Sequence, residues 1–473
     1  MMSAMRIAAL LAVLMVPVLG ATGRPNVLFI AVDDLRPWLG CYDEAFKGIA
    51  PNIDRLAGEG RVFRRHYVQV PTCGASRCGL MFGRYPERLP GDAGNEAIAR
   101  TAAKQPHPSL PALFRSGGYR TLSIGKITHY PGGRGGKGWK DGPEELPGAW
   151  DVCTMPTGPW QSPEAAMHGY ANGVPRTGDK KSPLSEFVEG DDKIYPDGWI
   201  AEEAVARLKD ESASGKPFFL AAGFIKPHLP FVAPKRYAEE AKSFPLPEPA
   251  GREKPSFPST WHPSSEFRRY RFNEGDPFES KDAAAAYRRD YLACIRYMDG
   301  QIGKLLSALD ASPAGKNTVV VLWGDHGWLH GEHGVWGKHC LFEEALHSPL
   351  IVRAPSQEHP GVASDEIVET VDVYPTLAGL AGLPLPASLD GKSLVPLLED
   401  PAAKSDGVAI SAWQDKQSIR NDRYRLMVST KDSGYLELYD HRTDPGEVVN
   451  IAPQRPDEVG TLRAKLATHL EAR

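Results

Sequence analysis

At four places in the chain, carboxylate, imidazole or ammonium groups follow directly on short apolar runs. Asp33 and Asp34 follow Val27–Val32, and Lys126 and then His129 follow Thr121–Ile124. Lys226 and His228 follow Phe218–Ala222, and Asp325 and His326 follow Thr318–Leu322. Carboxylate-rich sets suit a hard divalent cation such as calcium, and an imidazole among them keeps magnesium or manganese open. Histidines move protons near neutral pH, and lysines hold oxyanions as point charges. A site combining these groups can bind a cation and an oxyanion and supply acid and base to the bond between them. Any one set alone reads as a helix cap or turn residue. Four sets at four strand ends make one shared site the expected reading.

The runs that must position these groups are short, apolar and rich in β-branched residues. With Leu350–Val352 they make five expected buried parallel strands. Helical stretches lie between them, at Asn52–Glu59, Ser109–Ser116, Ile200–Leu208 and Ala283–Ala308. The alternation predicts an α/β fold with a mostly parallel central sheet flanked by helices. In such sheets ligands bind beyond the carboxyl ends of the strands, where the four polar sets fall. Two segments rich in Gly, Pro and charge, Pro131–Pro147 and Pro245–Ser265, read as surface loops that either shape a substrate site or are plain solvated insertions. Glu399–Asp406 reads as a linker. Expected short antiparallel strands at Gly407–Trp413, Tyr424–Ser429 and Tyr435–Tyr439, closed by a helix over Asp457–Ala472, form a smaller C-terminal α+β domain. The expected division is 24–402 for the larger domain and 403–473 for the smaller.

Composition narrows the class. The 473 residues are 41% hydrophobic and 24% charged with a net charge of −4, an ordinary globular balance. No lysine- or arginine-rich run occurs, so nucleic acid is not an expected partner. Arg6, the apolar run Ile7–Leu19 and the small residues from Gly20 to Gly23 have the order of a secretory signal peptide over residues 1–23. The expected location is therefore secreted or periplasmic. No later run of 18 apolar residues occurs, so no membrane span is expected in the mature chain. Six cysteines are too few for a disulfide scaffold at this length and show neither a CxxC pair nor a zinc spacing.

One of those cysteines opens a distinctive segment, Cys73-Gly74-Ala75-Ser76-Arg77, followed by Gly83-Arg84. A single cysteine at a helix start is more often structural or a redox thiol. Here the surroundings carry a resemblance. The segment resembles the sulfatase signature Cys-x-Pro-Ser-Arg with its later Gly-Arg pair, with Ala75 in place of the usual proline and Phe82 in place of the usual threonine. Asn26–Leu35, Ala50–Leu56, Gly125-Lys126 with His129, Asp325-His326-Gly327 and Gly331–Gly334 with Lys338 resemble further elements of that family. Lys226-Pro227-His228, Trp336-Gly337-Lys338, Tyr374–Leu380 and Glu437–Glu447 are most similar to its iduronate-2-sulfatase branch.

The resemblance implies an alkaline phosphatase-like fold and a sulfuric ester hydrolase acting on a sulfated saccharide. It also implies a partner: a maturation enzyme that oxidises Cys73 to formylglycine. Hydrated, that aldehyde offers two hydroxyls on one carbon, one to attack sulfur and one to collapse and expel sulfate. Asp33, Asp34, Asp325 and His326, with an oxygen at residue 73, are implied ligands of one divalent cation, calcium by preference, with magnesium or manganese also open. Asp325 is implied to take the attacking hydroxyl's proton, Arg77 to orient the hydrate, and Lys126 and Lys338 to bind sulfate oxygens. His228 is implied as the acid on the leaving oxygen and His129 as the base that triggers collapse. Two other readings remain: a phosphate or phosphonate ester hydrolase of the same superfamily, and a non-catalytic glycan-binding protein that keeps an unmodified Cys73.

Overall fold

The structure is a computed structural model that describes residues 23–86, 94–104, 107–131, 144–355 and 357–471. Residues 1–22 of the expected signal segment and most of Pro131–Pro147 lie outside the described residues. A central sheet is built from β1 (Asn26–Val32), β2 (Arg61–Tyr67), β3 (Arg120–Gly125), β4 (Val152–Thr154), β5 (Phe218–Phe224), β6 (Thr318–Gly324), β7 (Leu350–Arg353) and β8 (Ser364–Glu369). Its order is β8-β2-β7-β6-β1-β5-β3-β4. β1 lies at its middle, parallel to both β5 and β6.

The apolar runs become strands because both faces of the sheet are covered. Val27, Phe29 and Ala31 enter one core, while Leu28, Ile30 and Val32 enter the other. The second core is covered by α1 (Pro51–Glu59), α3 (Pro196–Ser214) and α4 (Lys281–Asp310). The first is covered by α2 (Cys73–Phe82), by α5 (Pro456–Glu471) and by a C-terminal sheet. A fully buried Leu28 or Ile30 stabilises the fold by about 1.5–3 kcal/mol through apolar burial. No helix among the described residues is long and apolar enough to cross a membrane.

One expected strand runs the other way. β7, which contains Leu350–Val352, pairs antiparallel with both β6 and β2. The reason lies in the chain between β6 and β7. Residues 325–349 stay at the rim where β6 ends, carrying His326 and Lys338, and the chain re-enters the sheet from that rim. A parallel return would need a crossover to the opposite edge.

The C-terminal sheet is a four-stranded antiparallel meander of β9 (Ala409–Trp413), β10 (Lys416–Arg420), β11 (Tyr424–Ser429) and β12 (Leu436–Asp440). β10 is a strand beyond the three expected there, and it places Ser418, Ile419 and Arg420 between β9 and β11. The sheet is stitched to the larger body by Ala412 N–H donating to the Gln69 carbonyl at 2.8 Å and Ser411 Oγ donating to the Val68 carbonyl at 2.6 Å. Arg425, 1% exposed, bonds Glu447 at 2.5 Å and also Glu343, joining β11 to the segment that follows β6.

Candidate active site

Each strand end delivers its group by a local device. After β1 the backbone turns left-handed at Asp34 (φ 59°), a conformation that aspartate tolerates better than most residues. The Asp34 N–H then donates to Asp325 Oδ1 at 3.0 Å, which ties the ends of β1 and β6 together. After β3, Gly125 adopts φ 77°, and the Lys126 carbonyl passes so close to Gly223 that a Cβ there would lie 2.1 Å from its oxygen. Bare backbone at both positions lets Lys126 turn inward.

Cys73 opens α2, and the usual capping bond is replaced. The Thr72 side chain makes no cap; instead Asn95 Oδ1 accepts the Gly74 N–H at 3.2 Å. A Cβ on Gly74 would fall 2.3 Å from the Asn95 Cα, so glycine follows the cysteine for want of room. Ala75 is the third helical residue, and its N–H has no acceptor inside the helix. Alanine and proline are therefore both compatible with that position.

The predicted residues converge. Asp33, Asp34, Cys73 and His326 each offer one ligand atom, all within 4.8 Å of one another. Cys73 Sγ lies 3.4 Å from His326 Nε2 and 3.3 Å from Lys338 Nζ. His326 Nδ1 lies 3.0 Å from the Gly327 carbonyl and donates to it, which leaves the Nε2 lone pair facing the cluster. Asp34 Oδ2 is buried without a hydrogen bond. An orphaned carboxylate oxygen, two further acidic or sulfur donors and a free imidazole lone pair fit a divalent cation. Asp325 stands outside this quartet: its Oδ2 is held by Arg77 Nε at 3.0 Å, and its Oδ1 is 3.7 Å from His326 Nε2.

Arg77 is completely buried and links both ends of the site. It bonds Asp33 Oδ1 at 3.2 Å, Asp325 Oδ2 and the carbonyls of Lys126 and Ile127. Lys126 Nζ is bonded to Asp33, and Lys338 Nζ to Asp34 Oδ1 at 2.7 Å. Burial alone would raise Asp33, but Lys126, His228 and Arg77 outweigh it and hold the carboxyl well below its usual range. Burial raises Asp325, and the nearby Asp33 adds to that effect against His326 and Arg77, so this carboxylate is the better proton acceptor. Burial and Asp33 push the Cys73 thiol well up, so an unmodified Cys73 stays a neutral thiol and a poor nucleophile. Burial first, then Lys126, holds His129 neutral, the state a base requires.

His228 Nδ1 lies 2.7 Å from the Leu229 carbonyl, and its Nε2 lies 4.0 Å from Asp34 Oδ2. Lys226, from the same strand end, turns away and donates to the carbonyls of His228 and Pro230, the latter at 2.6 Å. Its role is to hold the turn that presents His228. Trp328 is buried in the core, with Lys338 Nζ 5.5 Å from its ring centroid. Glu332 pairs with Arg36 at 2.8 Å, a structural bond behind Asp34.

The loop Pro245–Ser265 is more than an insertion. Thr260 Oγ1 accepts the Leu341 N–H at 3.0 Å, Ser264 Oγ accepts the Trp336 N–H at 2.8 Å, and His262 bonds the Lys338 carbonyl. The loop thus clamps the segment that carries Lys338. Immediately after it stands Glu266, which the sequence reading missed. Its Oε1 is 3.5 Å from His228 Nε2 and its Oε2 is 3.8 Å from Lys338 Nζ. Asn95 was missed as well; neither residue belongs to a strand end or a motif.

Comparison with known proteins identifies the family and the fold. The family described as sulfatase matches residues 25–383, and one described as N-sulphoglucosamine sulphohydrolase, C-terminal, matches residues 331–473. A protein named sulfatase from Formosa agariphila is 31% identical over 458 residues, covering 91% of this chain and 83% of its own length. Iduronate 2-sulfatase of Homo sapiens is 30% identical over 408 residues, covering 77% of this chain and 70% of its own. Among solved structures, a phosphonate monoester hydrolase of Agrobacterium radiobacter superposes with a TM-score of 0.74 at 22% identity, over 95% of this chain and 96% of that one.

Proposed function

The chain belongs to the sulfatase family and is a sulfuric ester hydrolase, and from that premise we propose that it is exported and removes sulfate from a uronate-type saccharide using an oxidised Cys73 and one divalent cation. The observation that carries this is the buried cluster of Asp33, Asp34, Cys73 and His326 flanked by Lys126 and Lys338. Similarity to iduronate 2-sulfatase supports the saccharide class.

Asp33, Asp34 and His326, with Asp325 beside them and an oxygen at residue 73, would hold the cation. When bound, a divalent cation lowers the pKa of a coordinated hydroxyl and attracts a sulfate oxygen. Oxidised and hydrated, residue 73 supplies one hydroxyl to attack sulfur and a second whose deprotonation releases sulfate. Asp325 accepts the first proton. Arg77 fixes Asp33 and Asp325 and offsets their charge. Lys126 and Lys338 shift from carboxylate to sulfate oxygens, and His228 gives a proton to the leaving oxygen as the ester bond breaks. His129, kept neutral, takes the proton that drives collapse.

The alternative of a phosphate or phosphonate ester is favoured by the fold match to a phosphonate hydrolase. Against it, dianionic phosphate is more often met by two metal ions. A second group with metal-ligating atoms, Glu343, His441 and Glu447, is already bridged by Arg425. Protein from its native host is expected to cleave 4-nitrophenyl sulfate faster than 4-nitrophenyl phosphate, with an aldehyde at residue 73 by mass spectrometry. A preference for phosphate, or an intact thiol in active protein, refutes the reading. Exhaustive chelation is expected to abolish turnover and calcium to restore it; saturating cation, at 100 times its Kd, should also add about 2.7 kcal/mol of stability. Undiminished turnover after chelation removes the cation from the mechanism.

A further inference from the structure

We propose that Glu266 is a positioning residue for proton delivery, bracing His228 and Lys338 so that the imidazole meets the leaving oxygen. The proposal rests on the reading of His228 as the leaving-group acid and adds a residue to it. Glu266 spans the two groups: Oε1 lies 3.5 Å from His228 Nε2, and Oε2 lies 3.8 Å from Lys338 Nζ. Its Oε2 is buried with no hydrogen bond of its own. Yet the side chain is 29% exposed, which places it at the edge of the site rather than in the core.

His228 cannot orient itself with both ring nitrogens. Nδ1 donates to the Leu229 carbonyl at 2.7 Å, so the ring pivots about that bond and Nε2 needs a second anchor. Asp34 Oδ2, at 4.0 Å, belongs to the cation cluster. Glu266 is the remaining carboxylate recorded within 4 Å of Nε2. Lys338 and His228 keep it ionised although burial works the other way. The clamp of Thr260, His262 and Ser264 onto residues 336–341 fixes the backbone that leads into Glu266. At 3.5 Å Glu266 holds the imidazolium through its charge and leaves the Nε2–H free to turn to substrate, so the Nε2 proton passes to the ester oxygen while the S–O bond electrons collapse onto that oxygen.

A brace for proton delivery matters only when the leaving group needs a proton. The test is a series of aryl sulfates from 4-nitrophenyl to phenyl and 4-methoxyphenyl sulfate, which does not depend on knowing the saccharide. Glu266→Gln is expected to lose roughly 30-fold more kcat/KM on phenyl sulfate than on 4-nitrophenyl sulfate, part of the 10²–10⁴ that a general acid supplies. His228→Asn should steepen the same dependence further, and Glu266→Asp, which keeps the charge, should fall between wild type and Glu266→Gln. An unfolding temperature close to wild type shows that the variants fold. An equal loss on every aryl sulfate, or no loss, with Glu266→Gln while His228→Asn steepens the series, overturns the role of Glu266 alone. A uniform loss with His228→Asn overturns the assignment of His228 beneath it.

Discussion

Cys73→Ala should reduce kcat by at least about 10⁴-fold while a sulfated disaccharide still binds with nearly unchanged affinity. The magnitude follows from what removing a covalent nucleophile costs when binding and charge stabilisation remain. The structure separates the two functions. The nucleophile is carried by residue 73 at the first turn of α2, whereas the groups assigned to sulfate, Lys126 and Lys338, come from the end of β3 and the segment after β6. Alanine removes only Sγ and its contacts with His326 and Lys338. The turn itself is held by Asn95 through Gly74, so it stays formed. Isothermal titration with the disaccharide and a turnover assay on the same preparation separate binding from chemistry. Comparable turnover in the variant would sink the mechanism.

Arg77→Ala should be the most damaging substitution for stability in the metal-free protein, costing about 3–5 kcal/mol, the range for uncompensating a buried charge. For a chain of this size, whose unfolding entropy is about 1 kcal/mol/K, that lowers the unfolding temperature by roughly 3–5 °C. Arg77 is fully buried and supplies charge to Asp33 and Asp325 together with bonds to two carbonyls. The pH dependence has a definite sign. Asp33 lies below its ordinary value in the folded protein because Lys126, His228 and Arg77 overcome its burial. It therefore contributes stability above an unfolded carboxyl value of about 3.9 and loses that contribution as the pH falls through the folded value. Without Arg77 that contribution shrinks, so the gap between wild type and variant should be full at pH 7 and close only as the pH falls below about 3.9 toward the folded Asp33 value. Divalent cation should close part of the gap at pH 7 by taking over the charge on Asp33. Thermal melts across pH, with and without calcium, measure both effects. A gap independent of pH would show that Arg77 acts through packing alone.

Much of this was legible in the chain. Val27–Val32, Phe218–Ala222 and Thr318–Leu322 are continuous apolar runs, and such runs make buried central strands whatever surrounds them. The polar residues that end them sit where an α/β sheet places its ligands. Direction was less legible: Leu350–Val352 is as apolar as its neighbours, and an apolar run carries no sign of which way it points. Arg61–Tyr67 escaped notice because three arginines interrupt it. Arg61 is nonetheless fully buried and spends its donors on the carbonyls of Leu397 and Leu398. Glu266 gave no signal because it arrives on a proline-rich loop with neither periodicity nor motif. Its part in the site exists only once the loop has been clamped against residues 336–341.

The depth of residue 73 sets an order of events. Its side chain is 2% exposed, at the start of a helix whose every residue is buried. No second protein can grip that segment once α2 has docked against the sheet. The oxidation proposed for this position therefore belongs to the nascent or freshly translocated chain, in the interval before collapse. Whatever fraction folds early is sealed as thiol, so specific activity should track how long the chain is kept open in the presence of its modifier.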